Sequence, residues 1–161
     1  MRSAATRVTQ WRRSGPIGRL HNLNAAILHS PQNLDCIMKW QEEDLRSGVL
    51  DAVDAESGKR RVPLRPIADN ETRWNSRHRM MVCALLLRRY FTRIVEKAES
   101  AWERGRRKGL KPVLIDDKLS EDDWDVVEVL IQVLAPFDEI SVRLQGNPTS
   151  SEDGHISSGL F

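Results

Sequence analysis

No acidic side chain occurs before Asp35, and the opening stretch carries Arg2, Arg7, Arg12, Arg13 and Arg19 instead. Such an Arg-rich, Ser-containing, acid-free start is the composition of a mitochondrial transit peptide, although Gly15-Pro16 interrupts any long amphipathic helix there. Cysteine is scarce. Cys36 and Cys83 lie far apart and lack the paired spacing of a zinc module. Both thiols are expected free, in a reducing compartment. The histidines His21, His29, His78 and His155 are scattered, so neither a metal centre nor a cofactor is expected. No apolar run approaches the roughly 20 residues that a membrane-spanning helix needs. Glycine-rich phosphate loops, H-E-x-x-H and G-x-S-x-G are missing as well. Gly15-Pro16-Ile17-Gly18 has too few glycines to cradle a phosphate. There is no internal repeat.

What the chain does contain is charge and helical periodicity. Of 161 residues, 40% are apolar and 30% charged, and the mean hydropathy is −0.49, as in a charge-rich helical protein. A net charge of +2 neither demands nor excludes nucleic acid as a partner. The charges are grouped: Arg104, Arg106, Arg107, Lys108 and Lys111 form a basic cluster, and Asp116, Asp117, Glu121, Asp122, Asp123 and Asp125 an acidic one. Blocks of one sign read first as solvated faces. Two-metal chemistry needs carboxylates converging from rigid elements, whereas these acids mark a loop and a helix start.

Residues 1–14 read as a frayed basic start, 15–146 as one helical domain and 147–161 as a flexible polar tail. Pro16 suits the first turn of a helix, because its missing N–H is not needed there. Ile17, Leu20, Leu23 and Ile27 then recur at helical spacing, and Ser30-Pro31 ends that helix. Leu34, Ile37, Met38, Gln41 and Leu45 predict a second helix, with Trp40 on its flank and Gly48 as a candidate terminator. Residues 54–69 read as an extended loop, since Pro63 and Pro66 bias their predecessors away from helix. A short edge strand is compatible with it. Met80, Ala84, Leu87, Phe91, Ile94 and Ala98 form the strongest stripe, sustained over about five turns. Residues 110–115 read as a packed loop. Ser120 with Asp123 predicts a capping box, followed by Trp124, Val127, Leu130, Ile131, Leu134, Phe137, Ile140 and Leu144, with a kink at Pro136. The expected architecture is mostly α: a bundle-like arrangement of about four main helices, with a proline-containing loop before residue 69.

The stretch Asp69-Asn70-Glu71-Thr72-Arg73-Trp74-Asn75-Ser76 supports two readings. One is a helix start with a buried tryptophan. The other is a surface presenting Arg73 and Trp74 to nucleic acid. A competing functional class is a helical protein-interaction module, self-associating through an incompletely covered 80–98 stripe.

That eight-residue stretch resembles the T-R-W-N-S segment of hAT-superfamily transposases. Trp11-Arg12-Arg13-Ser14-Gly15-Pro16-Ile17-Gly18-Arg19-Leu20-His21-Asn22 is similar to a W-x-x-x-G-P-I-G-K-L-H-N segment upstream of it in fungal members. Leu119-Ser120-Glu121-Asp122-Asp123-Trp124, then Leu134-Ala135-Pro136-Phe137, is similar to a downstream L-t-x-x-D-W and L-x-P-F pair. The resemblance covers roughly residues 11–146. It implies a piece of the helical insertion that interrupts an RNase-H-like domain, from a nuclear, DNA-acting protein of a transposable element. In that family the tryptophan stabilises a flipped base at the transposon end. Carried over, this makes Arg73, Trp74, Asn75 and Arg77 the candidate DNA-contacting residues. The family's D-D-E metal triad has no counterpart among the matching segments. The resemblance therefore implies a truncated or degenerate copy without enzymatic activity of its own, whose DNA contact is ancestral.

Overall fold

Proline opens the first two helices. Pro16 starts α1 (Pro16–Leu28) and Pro31 starts α2 (Pro31–Ser47), each in the first turn, where no intrahelical N–H is required. Ser30 caps α2 by accepting the Asn33 N–H at 3.3 Å. Gly48 ends α2 at φ +76, a left-handed conformation that a side chain would strain. A computed structural model describes residues 15–69 and 74–144. The segments 1–14 and 147–161, expected to be frayed and flexible, lie outside the described residues.

The described residues are mostly α, as expected, but they form six helices rather than about four. After α1 and α2 come α3 (Trp74–Leu86), α4 (Arg88–Arg104), α5 (Val113–Asp116) and α6 (Glu121–Leu144). The only extended pairing among them is an isolated antiparallel bridge between Val53 and Arg60. The long third helix of the sequence pattern divides at Leu87, whose backbone (φ −96, ψ 4) leaves the helical region. Hydrogen bonds carry across the break: the Leu87 N–H donates to Cys83 O at 3.0 Å, and the Phe91 N–H to Leu87 O at 3.0 Å. Apolar spacing is thus preserved while the partners change. α3 packs along α6, and α4 packs against α2 and α5. The second correction is α5, a single turn within a stretch expected to be loop. Pro112 precedes it and fixes the backbone entry.

The core gathers Leu20, Leu23 and Ile27 of α1 with Ile37, Met80, Met81, Phe91, Ile94, Trp124 and Val127. Met80, Ala84, Leu87, Phe91 and Ile94 are all 1% exposed or less, so the 80–98 stripe is covered and is not a docking face. α6 continues through Pro136 to Leu144. Its expected stripe is buried only in part: Phe137 and Ile140 are 62% and 55% exposed.

Side chains, rather than a sheet, hold the proline loop. Gln41, nearly fully buried, accepts the Leu64 N–H at 2.8 Å and donates to Leu64 O at 2.9 Å, as a neighbouring strand would. The Cys83 thiol donates to Arg65 O at 3.4 Å, and Asn24 donates to Ile67 O at 2.8 Å. These bonds deliver Asp69 to the start of α3.

Between α2 and α4, buried Asp44 accepts the Tyr90 hydroxyl at 2.9 Å and lies 3.4 Å from Arg89 Nη1. Burial, reinforced by the Asp44 carboxylate, pushes the Tyr90 phenol up from 10.0 to about 12. A raised acid favours the folded state fully below its unfolded value. That contribution disappears as the pH climbs from 10.0 through about 12. Tyr90 is the only tyrosine, so tyrosinate absorbance reads it without deconvolution. The native protein is expected to titrate near 12, and Asp44→Asn to bring the value part of the way back toward 10.0, since burial remains.

Candidate nucleic-acid interface

α1 contains no acid, and none precedes it, so its polar side chains have no intrahelical ion-pair partner. They reach across the molecule instead. Arg19 Nη1 donates to Asp123 Oδ2 at 2.9 Å, His21 Nδ1 to Asp69 Oδ1 at 2.6 Å, and Asn22 Nδ2 to Asp117 Oδ1 at 3.1 Å. An ionised carboxylate can only accept, which puts the His21 proton on Nδ1. The Asp69 side chain is 3% exposed, and its second oxygen lies 3.6 Å from Arg77 Nε. One buried carboxylate therefore joins α1 to the first turn of α3.

Asp123 holds two positions together. It accepts the Ser120 N–H at 2.9 Å while its own N–H donates to the Ser120 hydroxyl at 3.1 Å, the reciprocal capping box expected at the start of α6. Burial by itself raises the Asp123 pKa. The Ser120 backbone and hydroxyl, with Arg19, outweigh burial and leave the carboxyl below its ordinary 3.8.

The four candidate DNA-contacting residues separate in this frame. Arg73 lies outside the described residues. Trp74 is the first residue of α3, and its indole is outside the description too. Asn75 is half-buried. Arg77, a third exposed, faces Asp69 and so has a structural partner. Trp74 thus occupies the first position of α3, in the same turn as Arg77, which faces Asp69.

One turn on, His78 Nδ1 lies 3.5 Å from Asp138 Oδ2 of α6, with both side chains largely buried. Neither ring nitrogen of His78 has a hydrogen-bond partner, nor does Asp138 Oδ1. Protonated, His78 forms an ion pair across the α3–α6 seam. Sequence reading had no means to single out either this pair or His21–Asp69, because each partner lies dozens of residues away and histidine carries no periodic signal.

The basic 104–111 cluster is partly occupied with its own surroundings. The Arg107 guanidinium lies 5.5 Å from the Trp102 ring centroid, and Lys111 pairs with Asp116 at 2.6 Å. Among the described residues no group of three or more His, Cys, Asp or Glu side chains is arranged to hold a metal ion. A cavity of about 20 Å³ between Leu23, Phe91, Leu119 and Trp124 has room for roughly one water and not for a substrate. No helix among the described residues is long and apolar enough to cross a membrane.

Comparison with protein-family models, with curated proteins and with solved structures returns no match.

Two outcomes follow from these pairs. Replacing Asp69 by Ala leaves His21 and Arg77 without their carboxylate and is expected to destabilise the fold by about 1–3 kcal/mol, read from urea midpoints. Asp123 contributes fully above 3.8, and its contribution is lost as the pH falls from there through its lower folded value. Asp123→Asn is expected to flatten that part of a stability–pH profile measured by the same denaturation.

Proposed function

We propose that this chain is a non-catalytic, DNA-contacting helical piece of an hAT-transposase-like protein, acting in the nucleus, in which Trp74 stacks on an unpaired base at a DNA end. The observation that carries the reading is the convergence of the three segments on which the resemblance rests. Arg19 and His21 of the first reach Asp123 of the third and Asp69 of the second, across 104 and 48 residues of chain. Segments tied to one another in this way form one unit. Their chemistry then sorts into two kinds: charged pairs that build the frame, and Trp74 at the helix end that the frame positions.

Under this reading Asp69 and Arg77 are positioning residues, and the DNA contact falls on Trp74 with Arg73 and Asn75 beside it. Stacking an unpaired base on one indole is worth about 1–3 kcal/mol. No reaction step is assigned to any of these groups.

Fluorescence anisotropy with a hairpin DNA carrying an unpaired base, against a fully paired duplex of the same length, tests the assignment. Trp74→Ala is expected to weaken binding to the unpaired-base DNA by roughly five- to a hundredfold, the equivalent of that stacking energy, and to leave duplex binding unchanged. Equal binding of both DNAs by both proteins, with circular dichroism unaltered, would return Trp74 to the role of a packing residue.

A further inference from the structure

α6 carries two apolar stripes. Trp124 and Val127 face the core, with Ile131 and Leu134 half-buried behind them. The other stripe is Val126, Val129, Val133, Phe137 and Ile140, whose exposures run from 42% to 62%. Five large apolar side chains aligned on one solvent-facing helix surface make the kind of contiguous patch that marks an interaction site. Scattered exposed apolar residues would mean nothing.

The spacing fits a second copy of the same face. Successive steps along the stripe are three, four, four and three residues, the same read from either end, with Val133 at the centre. A twofold axis through Val133 and perpendicular to α6 sets Val126 against Ile140 of a second copy and Val129 against its Phe137, while Val133 meets itself. A patch with that property is self-complementary, as an isologous interface requires.

Charge selects the same arrangement. Arg143 is the only cation on α6, and Asp122 and Asp125 stand at the other end. Asp125 and Arg143 are separated by about five turns and so share one flank of the stripe. Arg143 pairs with Glu139 of its own helix at 2.6 Å, but both side chains are exposed, and antiparallel pairing brings Asp125 of the other copy to the same guanidinium and aligns the helix dipoles favourably. Parallel pairing would stack Asp122 and Asp125 on their own counterparts. The chain's remaining segments are poor competitors: Val8 and Trp11 in 1–14, and Ile156, Leu160 and Phe161 in 147–161, do not repeat over the length of the stripe.

We propose that this face of α6 pairs with the same face of a second copy of this chain, antiparallel about Val133. The pairing is independent of DNA binding, since its residues lie on α6 and its readout is mass.

Sedimentation velocity of the full chain is expected to show a species of twice 18.4 kDa. Val133→Lys, an exposed substitution, is expected to give a monomer with unchanged helical circular dichroism. The register is read in a Cys36→Ser background, where the buried Cys83 stays unreactive. Val133→Cys alone should then form a disulfide-linked dimer under mild oxidation. Val126→Cys alone should not, its counterpart being about 20 Å away along the axis, but it should cross-link when mixed with Ile140→Cys. A wild-type monomer at every concentration, a dimer that survives Val133→Lys, or open-ended assemblies would each overturn the proposal.

Discussion

The structure depends on the polar edge of α1. Arg19, His21, Asn22 and Asn24 find partners at Asp123, Asp69, Asp117 and the Ile67 carbonyl, each more than forty residues away. A helix with acids of its own would satisfy such side chains locally, at spacings of three or four residues. α1 has none. Its cations and amides remain available for distant carboxylates, and the helix acts as a strut whose apolar face lies in the core while its polar edge sets where α3 and α6 begin. Buried or half-buried pairs of this kind are demanding, because removing one member leaves the other desolvated and unpaired. They add little net stability over apolar packing. Their effect is to fix which segments meet, by making the alternatives expensive.

The same constraint explains the long loop before α3. A segment with prolines at 63 and 66 cannot join a sheet interior, and among the described residues no sheet is there to receive it. Gln41, Asn24 and Cys83 supply individual side-chain bonds to its backbone in place of a ladder. The loop is thereby laid along α1, α2 and α3 and ends with Asp69 against His21. An extended segment pinned at several points is a precise way to deliver a carboxylate, since extended backbone has little freedom to shift once both ends and the middle are held.

Local chemistry was legible from the residues. Ser120 with Asp123 and Gly48 after α2 each form the expected cap, and Ser30-Pro31 follows the end of α1 as expected, with Ser30 in addition capping α2. The break at Leu87 was not legible, because the apolar spacing runs through it without interruption; what divides the helix is the change of packing partner from α6 to α2 and α5. α5 was missed for the opposite reason, a single turn being too short to carry a period. The candidate site was legible only as a stretch of sequence. That Asp69 pairs with His21 and Arg77 is a tertiary fact, and it gives Arg77 a buried carboxylate as a neighbour.

α6 shows how far periodicity reaches. Trp124, Val127, Leu130, Ile131, Leu134, Phe137 and Ile140 read as one broad stripe, because over two dozen residues a helix of 3.6 residues per turn brings successive apolar positions slowly around its circumference. Only α3 and the core say where the buried part stops. Trp124 and Val127 meet the core, His78 faces Asp138 further along, and beyond that seam Phe137 and Ile140 turn to solvent together with Val126, Val129 and Val133. An amphipathic helix needs one apolar face to belong to a domain. A helix with a second, separated by a charged flank on one side and symmetric about its own midpoint, satisfies the requirements of two contacts at once. The inner face is specified by a core that the chain itself supplies. The outer face repeats in steps of three, four, four and three residues, a spacing that reads the same in either direction and leaves the sense of any pairing to the charged flank beside it.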